Sequence, residues 1–300
     1  MYSITLSGMC LDLEAPIAVI CHDAGATNHI LSWLKVDGRL GSVQAFMSGP
    51  AKFLWQQAFP EVQLCHSIEM ALNGAKSVIS GTGWGSDIEH DARSIAKARG
   101  IYSVAILDHW VNYAERFIRE GERVWPDAFW VVDDHAMSIA EKTFKGMRIR
   151  LVPNLYLANQ VQCVKSAPTT DPEILYVLEP MRTNWGRVEE GEFQALDFFA
   201  TKLHLLNLPP DIVIRLRPHP SDPPGKYDAW IANHPALHIL SDNSLNLSDA
   251  ISRARWVAGC ESYALVIALG ADRQVICTLP PWAPACRLPQ DGLIHLNMIS

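Results

Sequence analysis

The feature that most limits how this chain can fold is a recurring unit. A short apolar, β-branched run is followed by a loop rich in Gly, Asp and Ser, and then by a helical pattern. Apolar runs that do not alternate must be covered on both faces, and a parallel sheet flanked by helices meets that need. Pro16 to Cys21 (PIAVIC) is the first such run. The loop His22-Asp23-Ala24-Gly25-Ala26 follows, then a helix with Thr27 as its predicted cap and Ile30, Leu31 and Leu34 as its apolar stripe. Further strands are predicted at 43–47, 62–64, 76–80, 102–107, 128–132 and 148–152, with helices at 50–58, 68–73, 88–99 and 135–144. Ser86 and Glu89 have the spacing of a capping box at the start of the third of these helices.

Periodicity is lost at 165–172 (KSAPTTDP), which reads as a linker. The rhythm then restarts, with strands expected at 173–178, 212–216, 238–240, 255–258 and 274–278. Helices are expected at 189–206, 227–233, 248–253 and 262–269. The predicted architecture is therefore α/β, with two Rossmann-like domains facing a cleft. Residues 1–165 form the N-terminal domain and 173–300 the C-terminal one.

Composition narrows the function classes. The 300 residues carry a net charge of −7 and no basic cluster, which argues against a nucleic-acid partner. The seven cysteines are scattered without a CxxC pair, so neither a zinc site nor a disulfide framework is expected, and free thiols fit a reducing cytoplasm. The N-terminus lacks the basic-then-apolar pattern of a signal peptide. No apolar run has membrane-spanning length, so any association with an inner membrane would be peripheral.

Ligands of parallel sheets collect at the carboxyl ends of strands. The sharpest loop there is Arg215-Leu216-Arg217-Pro218-His219-Pro220, in which prolines on both sides of His219 stiffen the backbone. An imidazole so held, flanked by Arg215 and Arg217, suits an anion: it can donate to a phosphate oxygen or protonate a leaving group. The bland reading is a strand-exit turn with surface arginines. Gly259-Cys260-Glu261-Ser262 opens a helix whose free N–H groups, with the Ser262 hydroxyl, suit an anion; simple capping by Ser262 is compatible with that.

In the N-terminal half, Asp23 beside His22 and Gly25 is either a general base or a residue that satisfies turn N–H groups. Gly81-Thr82-Gly83-Trp84-Gly85 fits neither dinucleotide fingerprint nor P-loop. Its glycines permit close backbone approach, and Trp84 either stacks on a ligand or packs. Asp108 and His109, followed by Trp110 and with Glu115 and Arg116 nearby, either line a cleft or form a hydrogen-bonded structural loop. Arg182 exits the first strand of the second half and is a candidate contact for a nucleotide. Asp133-Asp134 reads as a helix cap. With no HExxH, GxSxG or DxD pattern, a metal-independent mechanism without a cofactor is preferred.

The Arg217-Pro218-His219-Pro220 loop and the Gly259-Cys260-Glu261-Ser262 helix start, set on two Rossmann-like halves, resemble GT-B glycosyltransferases. More narrowly, they are similar to the bacterial capsule-polysaccharide and polysialyltransferase-like group. That resemblance implies a metal-independent, inverting transferase. It would move a sialic-acid-like or Kdo-like sugar from a CMP donor to a glycan, lipid-linked or protein acceptor in cell-surface polysaccharide or glycoconjugate biosynthesis. It also implies Asp23 as base, His219 with Pro220 as the His-Pro motif, Ser262 as the Ser/Thr motif, and Arg217 or Arg182 facing the sugar carboxylate. The group often shows two adjacent acidic residues before the glycine, and this chain has one. Three alternatives stay open: a UDP-sugar transferase or 2-epimerase-like enzyme, a CDP-glycerol-dependent phosphotransferase, and a non-catalytic nucleotide-sugar-binding protein.

Overall fold

The computed structural model describes residues 11–166, 172–181 and 183–299. The chain divides into two compact units, Met1–Tyr156 and Leu157–Ser300. The division falls inside a helix, upstream of the predicted linker, of which residues 167–171 lie outside the described residues.

In the first unit, β1 (Ile17–Cys21) leads into α1 (Ala24–Asp37), then β2 (Val43–Met47) into α2 (Gly49–Ala58) and α3 (Ile68–Ala71). β3 (Ser77–Ser80) precedes α4 (Ile88–Arg99), and β4 (Tyr102–Ile106) is followed by a short hairpin of β5 (Ile118–Arg119) and β6 (Glu122–Arg123). β7 (Ala128–Val131), α5 (Asp134–Thr143) and β8 (Arg148–Leu151) complete the series, and α6 (Leu155–Cys163) runs across the division into the second unit. Six strands form one parallel sheet in the order β2-β1-β3-β4-β7-β8. β1, β3 and β7 are buried along their whole length, as strands covered on both faces must be. One core cluster joins Val19 and Cys21 of the sheet to Ile30, Trp33 and Leu34 of α1. Each such side chain removed from water contributes about 1.5–3 kcal/mol.

The second unit repeats the plan: β9 (Glu173–Val177), α7 (Gly191–Lys202), β10 (Val213–Arg217), α8 (Asp228–Ala232), β11 (Ile239–Ser241) and α9 (Leu247–Arg253). It ends with β12 (Trp256–Gly259), α10 (Tyr263–Gly270), β13 (Gln274–Cys277) and β14 (Leu293–His295). Its six strands are also parallel, in the order β11-β10-β9-β12-β13-β14. Both sheets reverse their winding once, between β1 and β3 and between β9 and β12, and open sheets of this type bind ligands outside such reversals. Each unit is Rossmann-like, and the α/β class expected from the sequence is the one observed.

Several local expectations fail. Residues 62–64 form no strand: Val62 and Leu64 pack onto the core from a loop held by a Cys65 N–H bond to Ala45 O at 2.7 Å. The first sheet consequently has six strands where seven runs were read. Thr27 is not a cap; α1 begins at Ala24, and the Thr27 hydroxyl donates back to Asp23 O at 2.6 Å. The β5–β6 hairpin and β14 carry too few residues for a period to show. No helix among the described residues is long and apolar enough to cross a membrane.

Candidate functional site

In the first unit the exits of β1, β3 and β4 are drawn together by charge. His22 follows β1, and its Nδ1 lies 2.6 Å from Asp23 Oδ1. Asp23 occupies the N-cap position of α1, yet its carboxylate caps nothing: it is spent on the imidazole. The reading of Asp23 as a turn-satisfying residue is therefore not what this loop does. Asp23 is the more open partner, with 38% of its side chain exposed against 19% for His22.

Glu89, on α4, organises this region from below. Its Oε1 accepts from His22 N at 3.0 Å and its Oε2 accepts from Gly83 N at 2.5 Å, so one buried carboxylate ties the β1 exit to the β3 exit. The expected capping box at Ser86 and Glu89 is replaced by this clamp, and the Ser86 hydroxyl alone accepts from Ile88 N at 3.3 Å. Burial raises the Glu89 pKa, and the nearby Asp23 charge adds to that; the two N–H bonds and Arg93 work against it. Arg93 is itself buried and donates to Ser80 Oγ at 3.1 Å and Gly81 O at 2.9 Å.

Asp108, at the exit of β4, is engaged by Arg116 at 2.7 Å, and Arg116 also reaches Thr82 Oγ1 at 2.9 Å. Burial alone would raise the Asp108 pKa; the Arg116 guanidinium outweighs it and holds the carboxyl below its ordinary value. His109 accepts from Trp110 N through Nδ1 at 3.0 Å, and Trp110 Nε1 reaches Asp133, whose carboxylate caps α5 through Ala136 N at 2.7 Å. Trp84 is 45% exposed, with the Arg119 guanidinium 5.9 Å from its ring centroid. Arg119 is anchored by Gly83 O at 2.7 Å and Asp87 at 2.8 Å.

In the second unit, His219 lies on the exposed loop after β10. Its Nδ1 accepts from Ser221 N–H at 3.2 Å and stands 2.7 Å from the Ser221 hydroxyl. A ring nitrogen that accepts from a backbone N–H carries no proton, so the neutral ring has its hydrogen on Nε2. Partial desolvation lowers the His219 pKa and favours that neutral form. The loop is braced by Asp222, which accepts from His219 N at 2.9 Å, Tyr227 Oη at 3.1 Å and Lys226 Nζ at 3.0 Å. Lys226 continues to Glu192 at 2.6 Å, and Glu192 accepts from Met181 N at 3.0 Å. One chain of charges thus joins the exits of β9 and β10. Sequence reading found His219 and missed this brace, because Asp222, Lys226 and Glu192 look like ordinary surface charges.

The flanking arginines do not act as first expected. Arg215 is buried and pairs with Glu173, whereas Arg217 pairs with Asp242 and donates to Ser244 O at 3.2 Å. Arg215 thus cross-links β10 to β9, and Arg217 ties β10 to the loop after β11. Arg182 lies outside the described residues. At the winding reversal, buried Gly259 ends β12, and the Ser262 hydroxyl caps α10 by accepting from Ala264 N at 3.3 Å. Gly259 has no room for a side chain, since a methyl there would lie 2.8 Å from Val177 O on the neighbouring strand. Glu261 N donates to Glu179 Oε1 at 3.2 Å, and the Glu261 carboxylate pairs with Arg287. Burial first, and the Glu261 charge second, push the Glu179 carboxyl up to about 8. Glu179 was not singled out from the sequence, because an acidic residue before a proline reads as loop. Among the described residues no three His, Cys, Asp or Glu side chains converge in a way that would hold a metal ion.

No protein-family model matches this sequence, and no curated protein matches it. Solved structures do. UDP-GlcNAc 2-epimerase from Methanocaldococcus jannaschii superimposes with a TM-score of 0.61 at 9% identity, over 93% of this chain and 88% of that one. UDP-GlcNAc 2-epimerase from Neisseria meningitidis, bound to UDP-GlcNAc, gives 0.60 at 9% identity, over 91% and 84%. S. aureus MnaA with UDP gives 0.57 at 11% identity, over 88% and 79%. The chain shares the two-domain GT-B fold of these proteins. At such identities the likeness concerns the fold, and it lends no support to the narrower polysialyltransferase-like group that the short motifs resemble.

Proposed function

We propose that this protein is an enzyme acting on a UDP-linked sugar, with a 2-epimerase-like reaction as the first reading. The observation that carries the proposal is the β9–β12 reversal. There α10 presents its N-terminus with a capping serine, and two strands away the proline-fixed His219 offers Nε2–H. Helix N–H groups and a neutral imidazole donor suit a phosphate without a counter-ion, and they stabilise the charge that builds on it as it leaves. The choice of UDP over CMP rests on the solved structures of the same fold, two of which hold UDP-GlcNAc or UDP.

Asp23 is the base in this reading. Inverting carbon 2 of a sugar requires removal of its hydrogen and return of a hydrogen to the other face, and an open carboxylate held by His22 can take that proton. The C2–H electron pair becomes a C1=C2 double bond as the bond from the anomeric carbon to the diphosphate oxygen breaks with its pair going to UDP. A proton from solvent added to C2 on the other face and re-addition of the UDP oxygen, or of water, to C1 complete the reaction. Transfer to a hydroxyl uses the same groups: Asp23 takes the hydroxyl proton, and the oxygen forms the new bond to the anomeric carbon. The motifs of the sequence favour this second reading.

The test is incubation with UDP-GlcNAc in D2O followed by NMR. Deuterium at carbon 2 with a new sugar product supports the epimerase-like reading. UDP release that depends on an added hydroxyl acceptor supports transfer. Thermal stabilisation by CMP with none by UDP moves the assignment to an acidic-sugar transferase, and no response to either nucleotide overturns the proposal.

A further inference from the structure

Three glycines from two different loops close around the pair of side chains at the exit of β1. A methyl at Gly49 would lie 2.5 Å from His22 Nε2, and one at Gly85 would lie 2.9 Å from His22 Cε1. A methyl at Gly83 would lie 2.0 Å from Asp23 Oδ2. Real carbon contacts do not come this close, so the imidazole occupies a slot that only glycine leaves open, and the carboxylate rests against the slot's edge. Gly49 is the first residue of α2, placing the Nε2 side of the ring at a helix N-terminus. With a carboxylate 2.6 Å from Nδ1, its hydrogen lies on Nδ1 and is donated to Asp23.

We infer that His22 is a positioning residue: wedged between Gly49 and Gly85, it donates Nδ1–H to Asp23 and so fixes that carboxylate in one orientation. The opposite division of labour, with His22 as base and Asp23 as its orienter, does not suit the site. Nε2 lies against Gly49 and the ring is the less exposed partner, whereas Asp23 is open. Other charges face the pair. Glu89 of α4 clamps the loop, Asp108 and Arg116 stand at the β4 exit, and Arg119 is bonded to Gly83. The role in turnover rests on the proposed sugar-nucleotide chemistry; the hydrogen bond and its effect on Asp23 do not.

The test has two independent arms. In the first, ring-nitrogen NMR of the whole protein at neutral pH should show His22 protonated on Nδ1, reverting to Nε2 in Asp23→Ala. Carbon NMR at neutral pH should show the Asp23 carboxyl resonance displaced in His22→Ala, since the carboxylate loses a donor. His22→Asn, which retains an N–H, should restore part of that shift. An Nε2–H tautomer in the wild type, or an unmoved Asp23 carboxyl resonance in His22→Ala, overturns the inference whatever the enzyme does.

In the second arm, His22→Ala and Gly85→Ala should each lower turnover about 10- to 100-fold, the worth of one hydrogen bond to a charged group. UDP binding should be unaltered, so that the loss falls on turnover and not on nucleotide affinity, and His22→Asn should recover part of it. Full turnover in both variants, with melting temperatures like the wild type, removes the positioning role. A wild type with the expected tautomer and no turnover on any sugar nucleotide defeats the proposed function and leaves the first arm to decide this one.

Discussion

At the exits of its central strands the first half meets each carboxylate with a donor: Asp23 with His22, Asp108 with Arg116, Glu89 with two backbone N–H groups. In the second half, at the corresponding reversal, Glu179 has a single backbone N–H, from Glu261, and burial first and the Glu261 carboxylate second raise its pKa to about 8. Both sheets have six parallel strands and reverse their winding once, and the contrast lies in the side chains gathered at the strand exits. It teaches that one scaffold supports two electrostatic regimes: one suited to taking a proton, the other to meeting an anion with neutral donors and a helix N-terminus.

The contrast breaks most visibly at Asp23. Asp23→Asn should lower turnover by about 10²–10⁴-fold, the usual worth of a general base, while UDP still stabilises the protein in a thermal shift. Loss of UDP binding in that variant would mean the two regimes are not separate.

The next largest effect is on stability, and it has opposite signs in the two halves. His29, buried in α1, is held neutral by burial, its pKa lowered from 6.5 to about 4. Between those values the unfolded chain binds a proton that the folded one refuses. The first half should therefore lose up to about 3 kcal/mol as pH falls through that window. Glu179 acts in reverse: raised from 4.5 to about 8, its contribution is present below 4.5 and lost as pH rises through about 8. Hydrogen exchange across this pH range should show α1 loosening in acid and α10 loosening in alkali. His29→Gln should remove the first trend and Glu179→Gln the second.

His219→Ala should weaken UDP binding about tenfold, because a single neutral donor to a phosphate is lost, and leave the Asp23 carboxyl resonance unmoved. Calorimetry with UDP reads the first effect and carboxyl NMR the second. The smallest effect is expected at Trp84. Its distant Arg119 contact at an exposed position is worth less than about 1 kcal/mol, so Trp84→Ala should barely alter the melting temperature. A clear loss of sugar-nucleotide affinity in that variant would assign the ring to ligand stacking.

Much of this was legible in the residues. IAVIC and SVIS are strands because uninterrupted β-branched runs need cover on both faces, and both are wholly buried. The loops that follow them were found by the same logic. What the chain did not disclose was the partner of each charge. Glu89 has the spacing of a helix cap and serves as a clamp between two strand exits, a role fixed only once β1 and β3 lie side by side. Arg217, read as a ligand contact, is claimed by Asp242, which lies 25 residues further along. Val62 and Leu64 alternate like a strand, yet only Cys65 meets the sheet with a backbone bond.

The glycine slot has a consequence for how such a sequence can drift. Gly49 on one loop and Gly83 and Gly85 on another each exclude even a methyl group for the sake of one imidazole–carboxylate pair. A lineage that kept His22 and Asp23 would have to keep all three. One that lost the pair would be released from all three at once, and substitutions there should then accumulate together. In a saturation library selected for activity, these positions should fall silent as a set, with the first alanine at any of them as damaging as the loss of the histidine itself.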